Sequence, residues 1–227
     1  MNGTVGGILM VDFERARAHM VDNQLRTSGV FDRRVLARMR VVPREIFVPE
    51  ARRALAYIDD VQWLGSPARR RFMASPAILG RLLQLADILE TDSVLHVGAG
   101  TGYGPALLAG LAEEVTGLEA DAALAAEANG NLVALGLDNA RVIAGDAAAL
   151  GKARFDVIIV EGMVDSVPQV FLAALNDGGR LVAPVRSGGV GIANIFVKAE
   201  GKVTARQEFD VNLPALFAAP AAESFVF

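Results

Sequence analysis

A glycine-rich turn is the segment of this 227-residue chain best suited to bind a ligand. It reads Gly98-Ala99-Gly100-Thr101-Gly102-Tyr103 and follows a short apolar run. Glycine lets a ligand approach the backbone closely, and the N-terminus of a following helix favours an anionic group. A dinucleotide fingerprint, G-x-G-x-x-G, requires glycine where this chain has Tyr103. The spacing therefore argues against a dinucleotide. It leaves S-adenosylmethionine, which presents a carboxylate instead of a pyrophosphate, or a turn without a ligand.

Two carboxylates follow the next two apolar runs of the chain. Glu119 comes about 20 positions after the first glycine, where nucleoside-binding α/β folds hold the ribose hydroxyls. Asp146, followed by Ala147, comes after the third run, where a carboxylate could accept a hydrogen bond from an adenine amino group. Each could also be a solvated loop acid. Three features at three successive strand ends favour a nucleoside site, with S-adenosylmethionine as cofactor and S-adenosylhomocysteine as its product.

These features need a parallel sheet whose strands all end on one side. Strands are predicted at Ser93–Val97, Glu114–Leu118, Ala140–Ala144, Phe155–Val160 and Arg180–Pro184. Helices are predicted between them at Gly104–Leu111, Ala122–Leu135 and Val167–Leu175. This alternation predicts an α/β fold, with an open, mostly parallel sheet and helices on both faces. The dipeptide Glu200-Gly201, between two further strand patterns (Ile192–Ala199 and Lys202–Phe209), predicts a C-terminal β-hairpin.

Helical periodicity dominates the part of the chain that precedes the sheet. Asp32 is expected to cap a helix that ends before Pro43, and Pro76 lies near the start of another helix at Ile78–Leu89. Residues 1–10 are glycine-rich and are expected to be a flexible extension. The length favours a single domain over residues 11–227. In it, residues 11–90 would form the helical, substrate-side region and residues 93–227 the cofactor-binding core.

The composition excludes several other kinds of site. The chain has no cysteine, so disulfides, thiolate metal sites and thiol nucleophiles are excluded. It has only two histidines, and no metal site is expected. The net charge of -4 offers no general attraction to nucleic acid. No apolar run reaches ~18 residues, and the start of the chain lacks a basic signal-peptide region, so a cytoplasmic protein without a membrane span is expected.

Further motifs resemble those of the protein-L-isoaspartate O-methyltransferase family over most of residues 11–186. They are Asn23–Arg26, Asp32 with Val35-Leu36, Val42–Pro49, Ala56-Tyr57, Val94–Tyr103, Gly145-Asp146, Phe155-Asp156 and Asp177–Val182. The N-terminal motifs are the more specific ones, because methyltransferases in general share only the glycine loop. The resemblance implies a Rossmann-like class I methyltransferase fold with added N-terminal helices. It also implies methyl transfer from S-adenosylmethionine to isoaspartyl carboxylates of damaged proteins or peptides, which starts their repair.

The chain departs from this family pattern in the segment before the first Rossmann strand. The family has T-I-S-x-P there, and its serine is usually assigned as catalytic. Aligned on the proline, this chain has Phe72-Met73-Ala74-Ser75-Pro76. Ala74 takes the serine position, and Ser75, one place later, is the candidate for the catalytic role. His96 stands where the family commonly has glutamate, and Glu161, after the fourth strand, stands where it tends to have small residues.

Several residues near this segment are expected on the substrate side: Arg71, Met73, Ala74 and Glu161. The run Arg69–Arg71 could clamp an anionic substrate through bidentate contacts, or it could be a solvated loop. Glu161 could hydrogen-bond the substrate or cap the structure near Ser166. His96 is expected to be a packed, hydrogen-bonded residue at a strand end. Trp63 could cover the site or belong to a core or an interface.

No acid–base constellation is visible, and the reaction implied by the resemblance needs none. A carboxylate with a pKa near ~4 is already ionised at neutral pH, so the protein has only to align it with the methyl group and exclude water. Three hypotheses therefore stay open. The chain is an isoaspartyl methyltransferase, a family member retargeted to another acceptor, or a non-catalytic protein that binds the cofactor or damaged peptides. The sequence does not indicate an oligomeric state.

Overall fold

A seven-stranded sheet forms the centre of the computed structural model, which describes residues 12–65 and 70–217. The strands within these residues are β1 (Gln62–Leu64), β2 (Arg71–Met73), β3 (Ser93–Val97), β4 (Glu114–Glu119), β5 (Ala140–Ala144), β6 (Phe155–Val160), β7 (Leu175–Ser187), β8 (Val190–Ala199) and β9 (Lys202–Val211). The sheet has the order β5-β4-β3-β6-β7-β8-β9. Its first five strands are parallel and its last two pair antiparallel. The predicted mostly parallel sheet is therefore confirmed.

The central strands position the residues that follow them. β3, β5 and β6 have the predicted bounds, and β7 is longer than predicted at both ends. Four residues at the end of β6, Val157–Val160, are fully buried, as expected for a strand covered on both faces. Val97 pairs with Leu118 of β4 and with Val160 of β6. The residues that follow these three strands therefore meet at the carboxyl-terminal end of the sheet.

Helices cover the sheet and precede it. They are α1 (Phe13–His19), α2 (Arg33–Val41), α3 (Pro76–Leu85), α4 (Tyr103–Leu108), α5 (Ala122–Ala134) and α6 (Gln169–Ala173). The Asp32 carboxylate accepts hydrogen bonds from the first turn of α2, as the sequence predicts, and Asp121 does the same for α5. Helices α4 and α6 are both shorter than their apolar patterns predict.

The N-terminal helices share one hydrophobic core with the sheet. α1 continues as a π-helical turn at Met20–Leu25, and two 3₁₀ segments follow α2 at Arg44–Phe47 and Glu50–Leu55. Buried side chains of these segments, such as Phe47, join the same cluster as Val94 and other residues of the central strands. The N-terminal part therefore packs against the sheet and helps to position the residues at the carboxyl ends of its strands.

A short β-hairpin interrupts the region that the sequence presents as helical. β1 and β2 pair antiparallel, with Gln62 opposite Met73 and Leu64 opposite Arg71. The sequence pattern predicts no strand in this part of the chain, so β1 and β2 were missed. Strands of three residues are too short for alternation to reveal them, and their pairing depends on contacts with distant parts of the chain.

The C-terminal hairpin is confirmed. β8 and β9 are joined at Glu200-Gly201, where both residues have positive φ (51° and 72°), as a tight hairpin turn requires. Within residues 12–65 and 70–217, no helix has the length and apolar character needed to span a membrane. The predicted extension at residues 1–10 lies outside the described residues.

Candidate cofactor and acceptor site

The glycine turn joins the carboxyl end of β3 to α4. Gly98, Gly100 and Gly102 all have positive φ, at 85°, 54° and 100°. Residues with a side chain adopt such angles only at a cost, so each position favours glycine. The N–H groups of Gly98 and Ala99 both donate to the Leu118 carbonyl, at 2.9 and 3.2 Å, and fix the turn to the end of β4. Gly98 is partly exposed and lines the cavity described below, whereas residues 99–103 are buried.

Glu119 holds this turn from the end of β4. Its side chain is 1% exposed, so the interpretation as a solvated loop acid is wrong. Oε2 accepts a hydrogen bond from Gly100 N at 2.8 Å, and Oε1 accepts one from Asp121 N at 2.9 Å. The carboxylate therefore lies where the sequence expects a ribose partner.

Arg71 of β2 reaches across the turn to the same carboxylate. Its Nε lies 2.9 Å from Glu119 Oε1, and its Nη1 donates to the Leu216 carbonyl at 3.0 Å. The Arg71 side chain is only 15% exposed. Neither proposed role of the arginine run, a clamp for an anionic substrate or a solvated loop, describes this contact. Arg70 is exposed, and Arg69 lies outside the described residues.

A cavity of about 280 Å³ opens beside the turn. Its walls are mainly apolar and include Gly98, Ala147 and Phe171, while Asp146 and Arg71 supply polar edges. Asp146 Oδ1 accepts a hydrogen bond from Ala148 N at 2.8 Å, which fixes the orientation of its carboxylate. The volume is close to the lower limit for small-ligand pockets. A flat base between apolar walls and one carboxylate is the kind of group that this cavity suits.

Apolar side chains cover the turn on its other side. A Cβ atom added to Gly100 would lie 2.7 Å from Leu64 Cδ1 of β1. One added to Gly98 would lie 2.7 Å from Leu216 Cδ1. A narrower space, bordered by Met73 and Glu161, separates the hairpin from the turn. The hairpin therefore shields this part of the turn from water.

Thr101 and Tyr103 anchor the turn to the N-terminal segment. Thr101 Oγ1 donates to the Phe47 carbonyl at 2.5 Å. The Tyr103 ring packs on Phe47, with 5.4 Å between centroids, and under the Arg44 guanidinium at 4.9 Å. Burial raises the pKa of Tyr103 to about 12, against the opposing charge of Arg44. Neither residue lines the 280 Å³ cavity, but both border the narrower space beside the hairpin.

Glu161 makes contacts that neither sequence hypothesis describes. Its Oε1 accepts a hydrogen bond from Ala74 N at 2.6 Å. Its Oε2 lies 3.0 Å from His96 Nε2, an ion contact when the imidazole is protonated but not aligned as a hydrogen bond. His96 is fully buried near the end of β3, as expected for a packed residue, but the expectation that it is hydrogen-bonded is wrong, because neither ring nitrogen has a hydrogen-bond partner. A carboxylate from the end of β6 is thus bound to the acceptor-side segment.

Arg44 is the residue that sequence reasoning missed as part of the site. It is fully buried, with Nε donating to the Ala56 carbonyl and Nη2 to the Ala74 carbonyl, both at 2.7 Å. Burial lowers its pKa, while the nearby Tyr103 and Glu161 act to raise it. The only signal for this residue was its place in the Val42–Pro49 motif, because spacing alone does not show which arginine is buried.

The remaining acceptor-side residues lie where the alignment on Pro76 puts them. Met73 is buried at the end of β2. Ser75 is 5% exposed and precedes α3, and its side chain makes no capping hydrogen bond there. Its catalytic role stays a prediction. Trp63 is 46% exposed and packs edge-on against the Phe72 ring at 5.9 Å, so it belongs to the outer face of the hairpin.

The arrangement has the parts that S-adenosylmethionine requires. A backbone turn, a buried carboxylate at the next strand end and an apolar cavity with a second carboxylate lie side by side. In the part of the chain that the structure describes, no group of three or more His, Cys, Asp or Glu residues could hold a metal ion.

Comparisons with known proteins agree with this geometry. A family model described as protein-L-isoaspartate(D-aspartate) O-methyltransferase matches residues 15–216. The chain is 39% identical over 178 residues to a protein-L-isoaspartate O-methyltransferase 1 of Syntrophobacter fumaroxidans, covering 78% of this chain and 82% of that protein. It is 42% identical over 180 residues to a protein-L-isoaspartate O-methyltransferase of Koribacter versatilis, covering 78% and 80%.

Solved structures show the same fold. A protein-L-isoaspartate O-methyltransferase aligns with a TM-score of 0.75 and 22% identity, over 88% of this chain and 65% of that one. The chain thus spans about two thirds of its length. A Plasmodium falciparum protein-L-isoaspartate O-methyltransferase, in complex with S-adenosyl-L-homocysteine, aligns with a TM-score of 0.74 and 20% identity, over 88% and 98%. The predicted Rossmann-like class I methyltransferase fold is confirmed.

Proposed function

The chain belongs to the protein-L-isoaspartate O-methyltransferase family, and we propose that it transfers the methyl group of S-adenosylmethionine to L-isoaspartyl carboxylates in damaged proteins or peptides. One observation carries the proposal. The family match over residues 15–216 includes both the glycine turn with Glu119 and the N-terminal segment that covers it. Methylation of this kind is the first step in repairing the damaged residue.

In this proposal, the cofactor binds along the edge of the sheet. The backbone of residues 98–103 approaches its amino-acid part, Glu119 accepts hydrogen bonds from the ribose, and Asp146 with Ala147 borders the adenine. When bound, S-adenosylmethionine supplies an electrophilic methyl group on a positively charged sulfur. The 280 Å³ cavity between Gly98 and Phe171 has the size and apolar walls for the nucleoside.

The residues of the chain then have three tasks. They bind the ionised acceptor carboxylate, direct one of its oxygens at the methyl carbon in line with the sulfur, and keep water away. Because the acceptor is ionised at neutral pH, no general base is required, and alignment supplies most of the rate. The hairpin side chains of Leu64, Phe72 and Met73 exclude water, and the segment Met73–Ser75 borders the acceptor. Arg71 is on the same side and can approach an anionic peptide once it leaves Glu119.

The proposal includes the organisation and setting expected from the sequence. Residues 11–227 act as one methyltransferase domain, with the substrate side in residues 11–90 and the cofactor side in residues 93–227. The partner is a protein or peptide with isoaspartyl residues, and the compartment is the cytoplasm. The N-terminal helices and the sheet share one hydrophobic core, which supports a single unit.

Labelled methyl transfer tests the proposal. Purified protein is incubated with methyl-labelled S-adenosylmethionine and an isoaspartyl peptide, and the product is exposed to mild base. We expect label on the peptide that base releases as methanol, since a methyl ester is base-labile. Glu119→Ala should abolish the signal at low cofactor concentration, and Glu114→Ala, at the exposed opposite end of the same strand, should not. Base-stable label, or transfer only to other acceptors, would contradict the proposal.

A further inference from the structure

Glu161 joins three positions at which this chain departs from the family pattern. Ala74 lies before α3, His96 lies within β3, and Glu161 directly follows β6. One oxygen of Glu161 accepts from Ala74 N at 2.6 Å, and the other lies 3.0 Å from His96 Nε2. Ala74 and His96 are fully buried, and Glu161 is 2% exposed. Three departures that are far apart in the sequence thus form one buried cluster.

The cluster extends to the back of the glycine turn through His96. A Cβ atom added to Gly104 would lie 2.4 Å from His96 Nε2 and 2.5 Å from its Cε1. The imidazole therefore fills the space under the first turn of α4, and only glycine at position 104 leaves room for it. Through this ring, the Glu161 carboxylate is fixed relative to the turn that carries the proposed cofactor contacts.

Two charged side chains hold the peptide backbone of Ala74 from opposite sides. Glu161 accepts from its N–H group, and Arg44 Nη2 donates to its carbonyl at 2.7 Å. Arg44 is itself fully buried. Buried charges are costly unless they are paired and hydrogen-bonded, and their partners are then held in a narrow range of positions. Residue 74 is therefore fixed through its backbone, at the position where the family carries a serine.

We propose that Glu161, oriented by His96, is a positioning residue for the methyl acceptor, and that with Arg44 it fixes the Ala74 backbone against the cofactor turn. The catalytic consequence rests on the proposed function. Glu161 is not assigned a role as a base, because Oε1 accepts from Ala74 N, Oε2 faces the His96 ring, and the side chain is buried. Fixing residues 73–75 aligns the acceptor carboxylate without a hydroxyl at position 74, and misalignment by about 1 Å can cost about 100-fold in rate.

Two variants separate this role from a general contribution to folding. Glu161→Ala should speed amide hydrogen exchange at Ala74 at least tenfold. It should also lower kcat for an isoaspartyl peptide by about 10- to 100-fold, with the Kd of S-adenosylhomocysteine changed less than threefold. Glu161→Gln keeps an oxygen that can accept from Ala74 N. It should retain slow exchange at Ala74 and most of the wild-type kcat. If the negative charge of Glu161 mattered instead of this hydrogen bond, Glu161→Gln would lose kcat as Glu161→Ala does.

Asp92→Asn is the matched control. Asp92 is another buried carboxylate, 6% exposed, that accepts from a backbone N–H and pairs with an arginine before β3, at the opposite end of that strand from the glycine turn. It should lower the melting temperature without changing exchange at Ala74 or kcat. Exchange at Ala74 as slow in Glu161→Ala as in the wild type, or an unchanged kcat in that variant, overturns the inference. Absence of transfer by the wild type would instead refute the proposed function, while the exchange result still decides whether Glu161 holds Ala74.

Discussion

Arg71 Nε lies 2.9 Å from Glu119 Oε1, so an arginine of the covering hairpin pairs with the carboxylate proposed to bind ribose. This carboxylate already accepts hydrogen bonds from Gly100 N and Asp121 N. A carboxylate has about four acceptor positions, and three donors leave too few for both ribose hydroxyls. In the proposed complex with the cofactor, Arg71 would therefore have to withdraw from Glu119, which would couple cofactor binding to the hairpin.

Arg71→Met should tighten binding of S-adenosylhomocysteine. The substitution removes the donor that competes with the ribose, and a net hydrogen-bond contribution of about 0.5–1.5 kcal/mol changes Kd by roughly two- to tenfold. Isothermal titration measures this change. Arg70→Met, next to it and exposed, is the control and should leave Kd unaltered. Weaker binding by Arg71→Met would show that the pair supports the cofactor instead of competing with it.

Gly100→Ala should weaken cofactor binding and loosen the hairpin. The position has φ of 54°, and the new Cβ would lie 2.7 Å from Leu64 Cδ1. We expect at least a tenfold rise in Kd and a destabilisation of about 1–3 kcal/mol, from strain and overpacking. Gly130→Ala is the control, since its Cβ would have no neighbour within 4 Å and helix α5 favours alanine. Equal behaviour of the two variants would refute the close approach at Gly100.

β3 and β6 were predictable from the sequence because they are buried on both faces, and continuous apolar runs between turn residues leave few alternatives. β5 also has the predicted bounds, although it lies at the edge of the sheet and buries only Val142. Helix α6 ends at Ala173, before its predicted end, because the chain enters β7 at Leu175. The β1–β2 hairpin was missed, because its strands of three residues acquire their order only from the glycine turn beneath them.

The candidate site, too, could be predicted only in part from the sequence. Strand ends in a parallel sheet converge, so Gly98, Glu119 and Asp146 could be grouped from spacing alone. The partners of Arg71 and Glu161 could not be predicted in this way, because each contact joins two elements that are far apart in the sequence. Glu161 and Ala74 are 87 positions apart and meet only when the N-terminal segment covers the sheet edge.

Gly104→Ala should destabilise the protein through His96. The added Cβ would overlap the imidazole, at 2.4 Å from Nε2, within a packed core. Overpacking of this kind costs about 1–3 kcal/mol in the free energy of unfolding. In a His96→Ala background the same change should cost much less, since the ring is gone, and a double-mutant cycle by urea denaturation measures the difference. An equal cost in both backgrounds would mean that His96 does not occupy this space.

Asp156 should contribute to stability in a pH-dependent way. Burial acts to raise its pKa, but hydrogen bonds from the Ser93 backbone, Asn176 and the Ser93 hydroxyl, with the charge of Arg180, outweigh it and hold the pKa below its ordinary value of 3.8. A lowered pKa in the folded state gives stability that is present above pH 3.8 and is lost as the pH falls through the lowered value.

Asp156→Asn should therefore be less stable than the wild type at neutral pH. The difference between their free energies of unfolding should become smaller on acidification below pH 3.8. Urea denaturation at a series of pH values gives the two curves. Asp138→Asn, at an exposed position before β5, is the control and should stay close to the wild type throughout. A difference in the free energy of unfolding that grows on acidification would contradict the sign of this effect.

Discrimination between an isoaspartyl peptide and its normal aspartyl twin tests the central claim most directly. The two peptides have the same composition and differ only in which carboxylate carries the chain, so a site that aligns one free carboxylate must distinguish them. With S-adenosylmethionine in excess, we predict that kcat/KM for the isoaspartyl peptide exceeds that for its twin at least 100-fold, the scale expected for a misaligned acceptor. Equal values for the two peptides, or no transfer to either, would contradict the proposed function.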